Sequence, residues 1–176
     1  MKIKKSFIFA LFMMQIGFSE SVNNFSSYIL AENNGKSVKS DISTNKIPQI
    51  GSADLNEIGE KIFKNEAGGK KENLVYWNSG ENFPSLGIGH FIWYRKNQTE
   101  IFDESFPKLV EFYKANKVTL PKILQENKDA PWTSREEFLK DKEAGKLNEL
   151  RDFLYDTKDI QVMFIYKRLE ASLDKM

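Results

Sequence analysis

The chain has no cysteine, which excludes disulfides, thiolate metal sites and attachment through a lipidated cysteine. It has one histidine, His90, so no pair of imidazoles exists to hold zinc, and a Ser-His-Asp arrangement would depend on that single ring. No metal and no cofactor is expected. Charge of neither sign dominates, because 26 Lys and Arg stand against 25 Asp and Glu for a net charge of +1. No run of lysine and arginine is interleaved with aromatics. The clustered positive charge that nucleic-acid binding draws on is therefore missing, and no such partner is expected.

Long apolar runs are missing too, apart from Phe7 to Phe18, which follows Lys2, Lys4 and Lys5. This run is too short to span a bilayer as a mature helix and reads as a secretory signal over residues 1–21, with Ser19 or Ser21 the last residue removed. Cleavage removes three lysines and Glu20, which moves the net charge from +1 to −1. The expected location is periplasmic or secreted, with no stable membrane insertion afterwards. Residues 22–51 are rich in Asn, Ser and Lys and read as a flexible polar linker. Residues 52–176 fit one domain that can bury a core, expected to be a monomer.

Within that domain, Asp54 with Glu57 resembles a capping box. Leu55, Ile58, Ile62 and Phe63 then recur at helical spacing until Gly68-Gly69 stops the run. Leu74 to Trp77 and Phe83 to Tyr94 are aromatic and β-branched, separated by the turn formers Asn78-Ser79-Gly80-Glu81-Asn82. This pattern predicts a small hairpin or three-stranded meander. Pro84 puts its strand at an edge or makes it irregular, and Gly87 and Gly89 allow close approach by another chain, a surface that can also admit a ligand. The rest is helical in character: a stripe from Phe102 to Tyr113, a short helix near Pro121, and a helix opened by a Thr133/Glu136 box, with apolar positions continuing to Leu173. The fold class is α+β, mainly α with a small antiparallel β-hairpin lobe.

Glu66 carries the clearest chemistry. It lies four residues after Ile62 on the apolar stripe, in the last turn of its helix, where desolvation and the negative end of the helix dipole would both raise its pKa. A raised pKa suits a general acid. Tyr76 and Trp93 are the first choices among the aromatics for stacking on a sugar face, the others being core. Gly87-Ile88-Gly89 is not a phosphate cradle, because no helix amino terminus with a lysine follows it. The acids Asp152, Asp156 and Asp159 read as solvated helix faces.

Ser85-Leu86-Gly87-Ile88-Gly89-His90 resembles the Thr-Ile-Gly-Ile-Gly-His hairpin of phage-type endolysins in the lysozyme-like superfamily. Tyr76-Trp77-Asn78 is similar to the Tyr-x-Asp of those proteins. Asn65-Glu66-Ala67-Gly68-Gly69 resembles the Glu-x-x-Gly opening of goose-type lysozymes and soluble lytic transglycosylases. The resemblance covers roughly residues 54–94. It implies a lysozyme-like fold and cleavage of peptidoglycan between N-acetylmuramic acid and N-acetylglucosamine, with Glu66 as general acid.

The same resemblance implies that Ser85 helps to hold an attacking water, although a strand serine bonded to the backbone is the other reading. It puts Asn78 where the family has an acid, and an amide is neither nucleophile nor ionised base. Either Glu81 supplies the second carboxylate and the reaction is hydrolysis, or Glu66 works alone and the sugar's own 6-hydroxyl attacks. Tyr76, Asn78 and Trp93 are the expected substrate-binding residues. His90 is expected to be structural, paired with Asp103 or Glu104 at the join between lobes. The alternative function is a non-catalytic peptidoglycan-binding protein with a degenerate cleft.

Overall fold

Among the described residues of the computed structural model, the first helix, α1, runs from Ser52 to Glu66. Its amino end is not the expected box: Gly51 occupies the cap with no side-chain bond, and Asp54 already lies in the first turn. Its carboxyl end is as the two glycines require. Gly68 and Gly69 take positive φ angles of 61° and 67°, and the Ala67 and Gly69 amides both reach back to the Phe63 carbonyl.

The structure describes residues 51–173. The expected signal, and the linker up to residue 50, lie outside them. Gly51–Lys167 forms one compact unit. The other unit comprises Met1–Ile50 and Arg168–Met176, of which only residues 168–173, all helical, are described.

After α1 comes a 3-10 turn, Lys71–Leu74, and then three two-residue strands: β1 (Val75–Tyr76), β2 (Ser85–Leu86) and β3 (Phe91–Ile92). They form an antiparallel meander in the order β1-β2-β3, with Tyr76 opposite Ser85 and Ser85 opposite Ile92. Pro84 is not at an edge. It immediately precedes the central strand, where its missing N–H costs no ladder bond, and its carbonyl accepts from the Trp93 amide at 3.2 Å.

Five helices follow: α2 (Phe106–Ala115), α3 (Lys122–Glu126), α4 (Arg135–Glu143), α5 (Asn148–Asp156) and α6 (Lys158–Leu173). Phe102 falls outside α2, whose buried stripe is Phe106, Leu109 and Tyr113. The box that opens α4 sits one residue later than expected. Ser134 is the cap, its hydroxyl accepting from the Glu137 amide at 3.2 Å, and the Glu137 carboxylate accepts from the Thr133 amide and hydroxyl, both at 2.7 Å.

A chain of aromatic rings ties sheet to helices. Trp93 packs on Phe106 at 5.0 Å and edge-on to Trp132 at 5.8 Å, Trp132 meets Phe138 at 4.9 Å, and Phe138 meets Trp77 at 5.7 Å. Burial of three indoles is tolerated because each N–H has an acceptor. Trp77 donates to the Glu81 carbonyl, Trp93 to the Lys128 carbonyl, and Trp132 to the Asp141 carboxylate. Helix α1 docks elsewhere, with Gly59 against Lys158 at the start of α6: a Cβ on Gly59 would stand 3.2 Å from that of Lys158. The buried Lys158 is compensated by an ion pair to Glu60 at 3.1 Å and by the Tyr155 ring beneath its ammonium.

Candidate functional site

Glu66 closes α1 with its side chain half-buried. Burial pushes its carboxyl above the usual carboxylate range. The next link is His90, which ends the β2–β3 turn with a left-handed φ of 48°. Its ring donates a hydrogen bond to the main-chain carbonyl of Glu66. Burial pushes the imidazole below its ordinary range, and this donation opposes the shift. The end of α1 and the Gly-Ile-Gly-His turn are therefore in direct contact.

The acids expected to pair with His90 are engaged elsewhere. Asp103 holds Lys108 at 2.6 Å, and Glu104 accepts from the Tyr94 amide at 2.7 Å.

Tyr76 and Ser85 are cross-strand neighbours on one side of the sheet, with Ile92 beyond them. Tyr76 is half-buried and Ser85 is 7% exposed. Among the described residues no partner engages the Ser85 hydroxyl, so the alternative reading of a serine bonded to the backbone is not found. Trp93 corrects its expected role. At 1% exposure, wedged between Phe106 and Trp132, it has no free face on which a sugar could stack.

Asn78 and Glu81 form the two ends of one tight turn. The Glu81 amide donates to the Asn78 carbonyl at 3.2 Å, and the Asn78 side chain bonds the Glu81 carboxylate. Arg135 steadies the turn by donating to the Trp77 carbonyl at 2.9 Å. One carboxyl oxygen of Glu81, Oε1, is buried with no hydrogen-bond partner. Burial raises the Glu81 pKa and the bond from Asn78 partly offsets it. Glu81 also belongs to an acidic group around Tyr94, whose phenol is pushed up to about 12 by burial and by Glu100, Glu104, Asp103 and Glu81.

A group held with a raised pKa contributes stability that is complete below its unfolded value and lost as pH rises through its folded value. Glu81→Gln is thus expected to be more stable than wild type at pH 7, with the advantage gone well below the ordinary value of 4.5. Melting temperatures of the two proteins across pH 3 to pH 8 check this. A wild type that gains on the variant as pH rises would contradict it.

Burial is the cause that raises Glu66, and at Glu81 burial raises the carboxyl while the Asn78 side chain opposes it. Among the described residues no group of three or more His, Asp or Glu side chains could hold a metal ion.

Gly87 and Gly89 do permit close approach, and the groups that come close belong to the chain itself, leaving no room there for a ligand. A Cβ on Gly87 would lie 2.4 Å from Oε1 of Gln161, and one on Gly89 would lie 2.6 Å from the Phe91 ring. Gln161 is fully buried, accepts from the Ile88 amide at 2.9 Å and donates to the Leu154 carbonyl at 2.6 Å. Sequence reasoning did not single it out. The available signal was a polar side chain among apolar positions of the last helix, next to Val162 and three before Phe164. With φ at 73° and no room for a methyl group, Gly87→Ala is expected to cost about 1–3 kcal/mol in denaturant unfolding. A loss under about 0.5 kcal/mol would mean that the turn relaxes freely.

No helix among the described residues is long and apolar enough to cross a membrane. In comparisons with known proteins, no family model matches this chain, and neither does any curated protein or solved structure.

Proposed function

We propose that this protein is an exported peptidoglycan-cleaving enzyme with a lysozyme-like domain, Glu66 being the general acid at the bond between N-acetylmuramic acid and N-acetylglucosamine. The observation that carries the reading is Glu66 itself: a half-buried carboxyl at a helix end, raised in pKa by burial and joined through His90 to the glycine-rich turn. A carboxyl that keeps its proton above the ordinary range can give it to a glycosidic oxygen as the bond to the anomeric carbon breaks.

The amide of Asn78, standing where the resembled family has an acid, favours a one-carboxylate route. Glu66, ionised after the first step, takes the proton of the sugar's 6-hydroxyl as that oxygen bonds to the anomeric carbon. The acid is regenerated and an anhydro sugar leaves. Ser85 and Tyr76, on one side of the sheet, are the groups proposed to line the substrate.

Incubating purified sacculi with the full chain tests the proposal against the non-catalytic alternative. Release of soluble glycan fragments supports the enzyme, whereas sedimentation with sacculi and no release supports a binding protein.

A further inference from the structure

The Gly87–His90 turn is held from both sides, and the two holds converge on Glu66. On one side stands Gln161, at 0% exposure in the second turn of α6. Its Oε1 accepts the Ile88 amide at 2.9 Å, and its Nε2 donates to the Leu154 carbonyl at 2.6 Å and more weakly to the Thr157 carbonyl at 3.3 Å. The side chain is thereby fixed to the end of α5, and the turn is fixed to the side chain.

The turn has no slack. Gly87 accommodates the Gln161 amide where any Cβ would overlap it, Gly89 does the same for the Phe91 ring, and the Gly87 amide is anchored to the Leu74 carbonyl at 2.8 Å. His90 then sits in a left-handed conformation, which a non-glycine residue keeps only where its surroundings over-determine it, at a cost on the order of 1 kcal/mol.

On the other side, the ring of His90 donates to the carbonyl of Glu66. That carbonyl is the last of α1, beyond the reach of any amide within the helix. Strain is accepted at His90, and the contact it secures is with the main chain of the proposed acid.

We propose that Gln161 and His90 are positioning residues for Glu66: the Gly87–His90 turn carries the anchor that α6 provides at Gln161 to the end of α1, and so fixes the acid's place and its shielding from water. The proposal rests on the reading of Glu66 as the general acid. Neither Gln161 nor His90 touches the reacting atoms; both act through the backbone that bears the carboxyl.

Two variants separate positioning from bulk stability. Gln161→Met keeps the volume and deletes the side chain's hydrogen bonds to Ile88, Leu154 and Thr157. His90→Gly deletes the ring while relieving the left-handed backbone, so it is the variant best placed to stay folded. Each is expected to lower kcat on sacculi by roughly 10- to 100-fold with KM little changed, because a small misplacement of a reacting group is costly. In the full-length protein labelled at glutamate carboxyl carbons, NMR titration is expected to show the Glu66 pKa falling towards the ordinary carboxylate value. His90→Asn and His90→Gln each place an amide N–H near one of the two ring nitrogens, and the one that reaches the Glu66 carbonyl restores both readouts.

Unchanged kcat and unchanged Glu66 titration in folded His90→Gly would overturn the proposal. The titration needs no substrate, so a wild type that releases nothing from sacculi defeats the functional reading and leaves the positioning test standing.

Discussion

Replacing Glu66 by glutamine is expected to lower fragment release from sacculi by roughly 10²–10⁴-fold, the usual contribution of a positioned general acid. Glutamine keeps the size and polarity of the side chain and removes the transferable proton. Because burial disfavours the ionised carboxylate, the variant is also expected to melt at or above the wild-type temperature at pH 7. Loss of activity with gain of stability separates a chemical role from a folding defect. The pH profile of the wild type gives a second check. A general acid must be protonated, so activity is expected to fall on the alkaline side at the raised pKa of Glu66, above the ordinary 4.5. Full activity in Glu66→Gln would end the account of Glu66 as an acid.

Phe138→Ala is expected to be the most damaging of the core truncations, costing about 3–5 kcal/mol. The ring is completely buried and contacts both Trp132 and Trp77 edge-on. Its loss would open a cavity at the point where α4 meets the sheet and the turn that carries Glu81. Against a typical domain stability of roughly 5–15 kcal/mol, this is a large share. Trp77, Trp93 and Trp132 are the chain's three tryptophans and all lie in this ring chain, so their fluorescence reports its unfolding directly. In urea the midpoint should fall with little change in slope. A loss below about 1.5 kcal/mol would show that the rings close over the gap.

Local signals were legible where local chemistry decides. The end of α1 is written in Gly68-Gly69, and the three-stranded meander in two aromatic runs around a turn-rich segment. The two helix caps fall near the residues expected rather than on them. Gly51 caps α1 in place of Asp54, and Ser134 caps α4 in place of Thr133.

What the sequence hid is long-range. Trp93 looked like a sugar platform because an aromatic in a glycine-rich hairpin carries no mark of which partners cover it. Its covers, Phe106 and Trp132, are 13 and 39 positions away. Gly87 looked like room for a ligand, and the group that uses the room is Gln161, supplied by the last helix. Glu66 is the opposite case. Its helical register alone places it on the buried face, and the structure finds it half-buried with its pKa raised.

Mass spectrometry of the soluble products from sacculi treated with the full chain tests the central claim most directly. The account predicts disaccharide-peptide fragments ending in an anhydro sugar, one water lighter than the hydrolytic product, and none from Glu66→Gln. Products with a free reducing end would return the second step to water, and sacculi left whole by the wild type would contradict glycan cleavage altogether.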